Sequence, residues 1–168
     1  EMVVTVRRAG VRREARVRVW VDANYPVAHV TVDADAPVEA AASFELWRTV
    51  PMALPSIEST DVNLDRSRPD QQVAPTVVEP DTVLTDLADG IGWLHHNAKS
   101  VGSVESIRQQ DLIGAPWTDP ILHRTFGAVI RADGATRASD QRLTRAPARR
   151  HRFDVFVLTT HPSTPDEW

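Results

Sequence analysis

The residues best equipped for chemistry fall in two short runs. Trp93-Leu94-His95-His96-Asn97-Ala98-Lys99 packs imidazoles, an amide and an ammonium onto what reads as the end of a strand. Asp119-Pro120-Ile121-Leu122-His123-Arg124-Thr125-Phe126-Gly127 does the same at the start of another. Strand alternation puts Trp93, His95 and Asn97 on one face and Leu94 and His96 on the other, so the adjacent histidines do not share a metal. Trp93, His95, Asn97, Lys99, Trp117, His123 and Arg124 are therefore candidates for contacting a sugar or the rim of an active site. Arginine and asparagine suit that task because they offer several donors in fixed geometry to hydroxyl oxygens. The plainer reading carries more weight taken alone: His95 and His123 as satisfied buried groups, and Arg124 paired with a carboxylate such as Asp119. The two runs are expected to lie close together, where loops gather at one end of a strand-built domain.

Other chemistry is harder to find. Trp20, Trp47, Trp93 and Trp117 invite a carbohydrate-stacking reading, but a tryptophan at strand spacing is more often packing. Trp20 and Trp47 sit opposite the small aliphatic faces of their strands and read as packing beneath a neighbouring domain, while Trp117 in a proline-flanked loop is the best exposed platform. Asp61-Val62-Asn63-Leu64-Asp65 imitates a calcium loop, yet Arg66 replaces the turn glycine and Gln72 the closing glutamate, so an EF-hand is rejected. There is no Gly-x-Ser-x-Gly elbow, phosphate-binding glycine loop or His-Glu-x-x-His. Glycosidases need two carboxylates held across a sugar. Asp81, Asp86, Asp89, Glu105 and Asp111 show no spacing that pairs any two. No catalytic residue, metal or cofactor is assigned.

Composition bounds the rest. The 168 residues are a usual length for one domain, and a net charge of −4 with mixed signs gives no footprint for nucleic acid. Cysteine is absent, which excludes disulfides and thiolate chemistry. No apolar run approaches a membrane span, and Glu1-Met2-Val3-Val4-Thr5 is not a signal peptide.

The elements that must position these residues are strands. Period-two alternation runs through Met2–Val6, Val17–Val21, Ala28–Val32 and Val38–Arg48. It resumes at Val83-Leu84, Ile91–Asn97, Leu122–Arg131, Ala135–Leu143 and Phe153–Thr160. Phe153–Thr160 is apolar on both faces and is expected to be central and covered on both sides. Residues 49–80 are proline-rich and read as a long surface excursion, with a short strand near Val62-Asn63-Leu64. Arg8-Ala9-Gly10 reads as a turn, and only Val104–Leu112 as a helical turn or two. At the end, Thr164 reads as an N-cap and Pro165 as a first helical residue, so 162–168 resemble the start of a linker. The expectation is an all-β, antiparallel β-sandwich of nine or so strands, as one domain over 1–168 and a fragment of a larger sandwich.

Five stretches together resemble a bacterial family of large glycoside-hydrolase-like proteins. They are Val19–His29, Phe44–Arg48, Trp93–Asn97, Asp119–Gly127 and Thr164–Trp168. The family's N-terminal β-sandwich is catalogued only as a domain of unknown function. The sequence departs from its pattern at His96, where arginine is commoner, and at Leu94, where tyrosine is. The resemblance implies an architecture similar to family 95 α-fucosidases: an N-terminal supersandwich, a helical linker and an (α/α)6 barrel carrying the catalytic acids. It implies a non-catalytic domain that packs on the barrel of the same polypeptide, through Trp20 and Trp47, and lends residues to its rim. The parent is then a glycoside hydrolase, secreted or at the cell surface. A stand-alone carbohydrate-binding module holding an oligo- or polysaccharide is the alternative of a different class. A structural or protein-interaction sandwich is a third.

Overall fold

The computed structural model describes residues 1–7, 14–53, 77–100, 103, 107, 110–162 and 164–168. The expected turn at Arg8-Ala9-Gly10, the strand near Val62–Leu64 and the calcium-like stretch Asp61–Asp65 lie outside the described residues. So does most of Val104–Leu112, within which Ile107 is helical, as is Ser103 just before it.

The fold is all-β and antiparallel, with a sandwich-like arrangement. Ten strands are found among the described residues: β1 (Met2–Arg7), β2 (Glu14–Val21), β3 (Val27–Ser43), β4 (Met52–Ala53), β5 (Val77–Val78), β6 (Thr82–Leu84), β7 (Gly90–His96), β8 (Thr125–Arg131), β9 (Thr136–Ser139) and β10 (Arg142–Thr160). A short 3-10 turn, Pro165–Glu167, follows; proline opens it as expected, but Thr164 makes no side-chain cap. The main sheet runs β1-β2-β3-β10-β8-β7-β6, with β9 joined to β10, while β4 and β5 pair separately.

The chain divides into two compact units. The larger comprises Glu1–Glu45, Thr82–Leu94 and Phe126–Leu158. Its core is Ile91, Leu143 and Phe153, with Val30, Ala40, Ala42, Phe44, Ile130, Ala132 and Ala135 packed around them. The two longest strands, β3 and β10, pair with shifts in register between Arg145 and Arg150. Each carries a proline there, Pro37 and Pro147, which lacks the N–H that a regular ladder needs and is tolerated at bulges. His151 fills the irregularity: its Nε2 faces the carbonyl oxygens of Val38 at 2.8 Å and Ala148 at 3.1 Å. Between β7 and β8 the backbones approach so closely that a β-carbon on Gly127 would fall on the Trp93 carbonyl oxygen.

Several sequence expectations need correction. Two predicted strands, Ala28–Val32 and Val38–Arg48, are one strand that stops at Ser43, since the pairing continues past the irregularity between them. Ala135–Leu143 is divided by a turn at Asp140-Gln141. The strand expected from Leu122 begins at Thr125, because His123 takes a positive φ of 62°. β10 is central, but Phe156, Val157 and Leu158 are exposed rather than covered on both sides. Val27, the first residue of β3, stands opposite Phe156, so Val157 and Leu158 lie beyond the paired residues of that strand.

Candidate functional site

The smaller unit, Leu46–Asp81, His95–Thr125 and Thr159–Trp168, contains most of the polar candidates. The pairing of β6 with β7 sets Thr82 against Leu94. One step further along the same register, Asp81 stands across from His95. Asp81 Oδ1 lies 3.0 Å from His95 Nδ1 and accepts a hydrogen bond from Arg48 Nε at 2.8 Å. Both the Asp81 and the His95 side chains are only 4% exposed. The Asp81 N–H in turn donates to the Arg48 carbonyl, 2.8 Å away, tying the end of the excursion to its beginning.

His95 Nε2 meets Asn97 Oδ1 at 3.3 Å, and Asn97 Nδ2 donates to the Arg124 carbonyl at 3.0 Å. That last bond fixes which way the amide points, so both nitrogens of His95 face acceptors. Backbone bonds complete the junction: the Asn97 N–H donates to Arg124 O at 3.1 Å, and the His123 N–H to Asn97 O at 2.8 Å. The two polar runs are thus laced together, side chain and backbone alike.

On the other face, His96 stacks on His123 with ring centroids 5.8 Å apart. Thr125 Oγ1 lies 2.7 Å from His96 Nδ1 and 3.3 Å from the His123 carbonyl oxygen. Burial, then the nearby His123 and His95, push the His96 pKa below its ordinary value.

Asp119 is the hub of the adjoining loop. It accepts from Ser100 Oγ at 2.5 Å, Ser103 Oγ at 3.1 Å and the N–H groups of Ile121 and Leu122 at 2.9 and 3.2 Å. Burial raises its pKa, but these four donors outweigh it and leave the carboxyl below the usual range. Asp119 is thus engaged elsewhere than with Arg124. Arg124 Nε instead lies 3.2 Å from His161 Nε2, which is also 3.2 Å from the Pro120 carbonyl. Lys99 is exposed and pairs with Glu79 at 3.0 Å.

The tryptophans divide by surroundings. Trp93 meets Phe126 edge-to-face at 6.1 Å within the larger unit. Trp47 is 93% exposed and Trp117 is 37% exposed. Trp20 is half-buried and lies 5.2 Å from the His29 ring, which is bonded to Asp154 at 2.6 Å. Sequence reasoning missed Arg48 and His161 and treated Asp81 only as a possible acid; their roles follow from strand register and loop return, which no local motif carries.

Chemically, Asp81, His95 and Asn97 form an engaged buried network, suited to holding loops together rather than to proton transfer on a substrate. Lys99, His123 and Arg124 are the outward members. Among the described residues no group of three or more His, Asp or Glu is placed to hold a metal, and no helix is long and apolar enough to cross a membrane.

No curated protein matches this chain, and no solved structure does either. A family model does, DUF5703_N, described as a domain of unknown function (DUF5703), over residues 1–168. Its span covers every residue from Glu1 to Trp168, and the chain belongs to that family.

Proposed function

We propose that this chain is the non-catalytic β-sandwich of a larger glycoside-hydrolase-like protein, packing against an (α/α)6 barrel of the same polypeptide. The observation that carries this reading is an open apolar sheet face. β1 pairs with β2 so that Met2, Val4 and Val6 stand beside Val19, Val17 and Ala15, and Val21 continues the row. Met2, Val4, Val6 and Val21 are all exposed. Contiguous apolar surface of this kind is uncommon on a free-standing domain and marks an interface. In the smaller unit, Trp47 offers a separate apolar contact. Lys99, His123 and Arg124 would supply donors to the barrel's rim. Asn97 would act by positioning, since its amide already holds the Arg124 carbonyl.

The test compares this chain alone with the full-length protein, each carrying Val4→Asp and Val6→Asp. The substitutions should leave the melting temperature of the chain alone nearly unchanged and lower that of the full-length protein by several degrees. Equal tolerance in both overturns the packing role. Purified chain should also fail to turn over aryl glycosides; turnover lost on replacing Asp81 would contradict the non-catalytic assignment.

A stand-alone carbohydrate-binding module is the second reading, favoured by the exposed indoles of Trp47 and Trp117. Retention on an insoluble polysaccharide, abolished by Trp47→Ala or Trp117→Ala, would select it.

A further inference from the structure

The larger unit carries a second polar region that the preceding reading does not use. An open groove of about 470 Å³ lies over β2, β3 and β10. Register builds it. Arg18, Thr31 and Arg152 form one cross-strand row; Arg16, Asp33 and Arg150 form the next; Trp20 and His29 begin a third. Side chains in such rows share a face of the sheet, so alternation collects the arginines on one side.

The groove is walled by Arg18, Trp20, Arg145, Arg150 and Arg152, with Thr31 among its lining and Asp33 as the one acidic lining residue. Four guanidiniums against one carboxylate is a concentrated positive site on a chain whose net charge is −4. The existing pairs do not exhaust the donors. Asp33 accepts from Arg18 Nη2 at 2.7 Å and lies 3.3 Å from Arg150 Nε, and Arg152 Nε donates to Asp154 at 2.8 Å. Each guanidinium presents five N–H groups, in a fork that matches a carboxylate or sulfate.

A second observation is independent of charge. Thr31, in the same cross-strand row as Arg18 and Arg152, lines this groove and holds a buried hydroxyl, Oγ1, with no hydrogen-bond partner among the described residues. Buried polar groups without partners are rare in folded proteins, and each calls for an explanation such as a bound water or ion or a functional role.

We propose that this groove binds an acidic saccharide, with the arginines gripping its anionic group and Trp20 stacking on the sugar ring. The anionic group is a carboxylate or a sulfate ester, which present similar oxygens to guanidinium. Trp20 suits the stacking role because the His29 ring already backs it at 5.2 Å. Its setting among arginines fits a polar ligand better than an apolar partner domain, leaving Trp47 and the β1–β2 face to interdomain packing. The saccharide half of this proposal rests on the carbohydrate role proposed above; the anion half does not.

The experiment is calorimetric titration of the full-length protein at fixed ionic strength. Four probes are used: oligogalacturonate, a sulfated oligosaccharide, a neutral oligosaccharide and inorganic sulfate. The groove's share of binding is whatever an Arg150→Ala/Arg152→Ala double variant loses. Arg150 is 89% exposed and Arg152 more than half exposed, so the fold should survive, as a melting curve checks. Acidic oligosaccharide should lose at least tenfold in affinity in that variant, and the neutral one should be unaffected. Which acidic probe binds more tightly distinguishes carboxylate from sulfate. Trp20→Leu should weaken the oligosaccharide and leave inorganic sulfate unchanged. Thr31→Val should weaken ligand binding while keeping or raising the melting temperature, since it removes an orphaned hydroxyl; a purely structural threonine would do the reverse.

Identical isotherms for wild type and double variant with every probe overturn the proposal. Variant-sensitive sulfate binding that is no weaker than oligosaccharide binding and indifferent to Trp20 overturns the saccharide half alone. Because the Val4→Asp/Val6→Asp test reads a different sheet face, failure of interdomain packing and failure of this groove are distinguishable.

Discussion

His95 Nδ1 lies 3.0 Å from Asp81 Oδ1 inside the protein, and the same oxygen receives Arg48 Nε at 2.8 Å. One carboxylate thus joins the start of the proline-rich stretch, its end and the C-terminal end of β7. Removing it leaves a guanidinium and an imidazole facing one another across a site that is nearly dry.

Asp81→Ala should therefore be among the most damaging single changes outside the apolar core. Breaking a buried charge pair by deleting one partner costs about 3–5 kcal/mol. Arg48 is about a third exposed, so the loss should lie toward the lower end. Urea denaturation of the variant measures it. A midpoint shift equivalent to under ~1 kcal/mol, the range of surface salt bridges, would remove Asp81 from this role.

Stability should fall with pH in two stages. The folded-state pKa of His96 is below its ordinary value of 6.5, so the unfolded chain binds more protons as pH drops. The stabilisation from keeping the ring neutral is full above 6.5 and is lost as pH falls through the lower folded value. Asp22, Asp33, Asp119 and Asp154, all held below 3.8, lose theirs only at more acid pH. Melting temperature followed from pH 7 to pH 5 should decline in the wild type. It should be flatter in His96→Asn.

Gly127→Ala should destabilise the β7–β8 pairing, because the added methyl falls on the Trp93 carbonyl oxygen and close to the Leu94 backbone. Overpacking of this kind costs about 1–3 kcal/mol, and a rigid backbone obstacle gives the upper end. Gly114→Ala is the control, since a β-carbon there meets nothing within 4 Å. Thermal melts of the two variants should differ by several degrees.

The exposed row Met2, Val4, Val6 and Val21 should make the isolated chain self-associate at high concentration. Static light scattering checks this, and Val4→Asp with Val6→Asp should restore a monomer. A strict monomer without those changes would count against the open apolar face.

Alternation made the strands legible because a half-buried sheet repeats every two residues, and β1, β2 and β7 lie close to where the pattern put them. It split β3 in two because Asp33-Ala34-Asp35-Ala36-Pro37 holds no large apolar residue to mark a face. The polar junction was half legible: the runs around His95 and His123 announced themselves by composition. Asp81 and Arg48 did not, because their relation to His95 comes from strand register and from a loop that returns after some thirty residues. The arginine groove was the least legible. Arg18, Arg150 and Arg152 look like ordinary solvent-facing positions until β10 is known to lie beside β3.

That adjacency also sets a schedule for biosynthesis. β1, β2 and β3 can form a meander as soon as they leave the ribosome, but the partner for the far edge of β3 begins only at Arg142. At synthesis rates of roughly 5–20 residues per second, that edge stays unpaired for about 5–20 s. An open strand edge recruits other nascent chains. Pro37, with no N–H to offer, sits midway along that edge and interrupts the template during the wait. The same residue that sits at the register shift of the finished sheet thus guards the unfinished one.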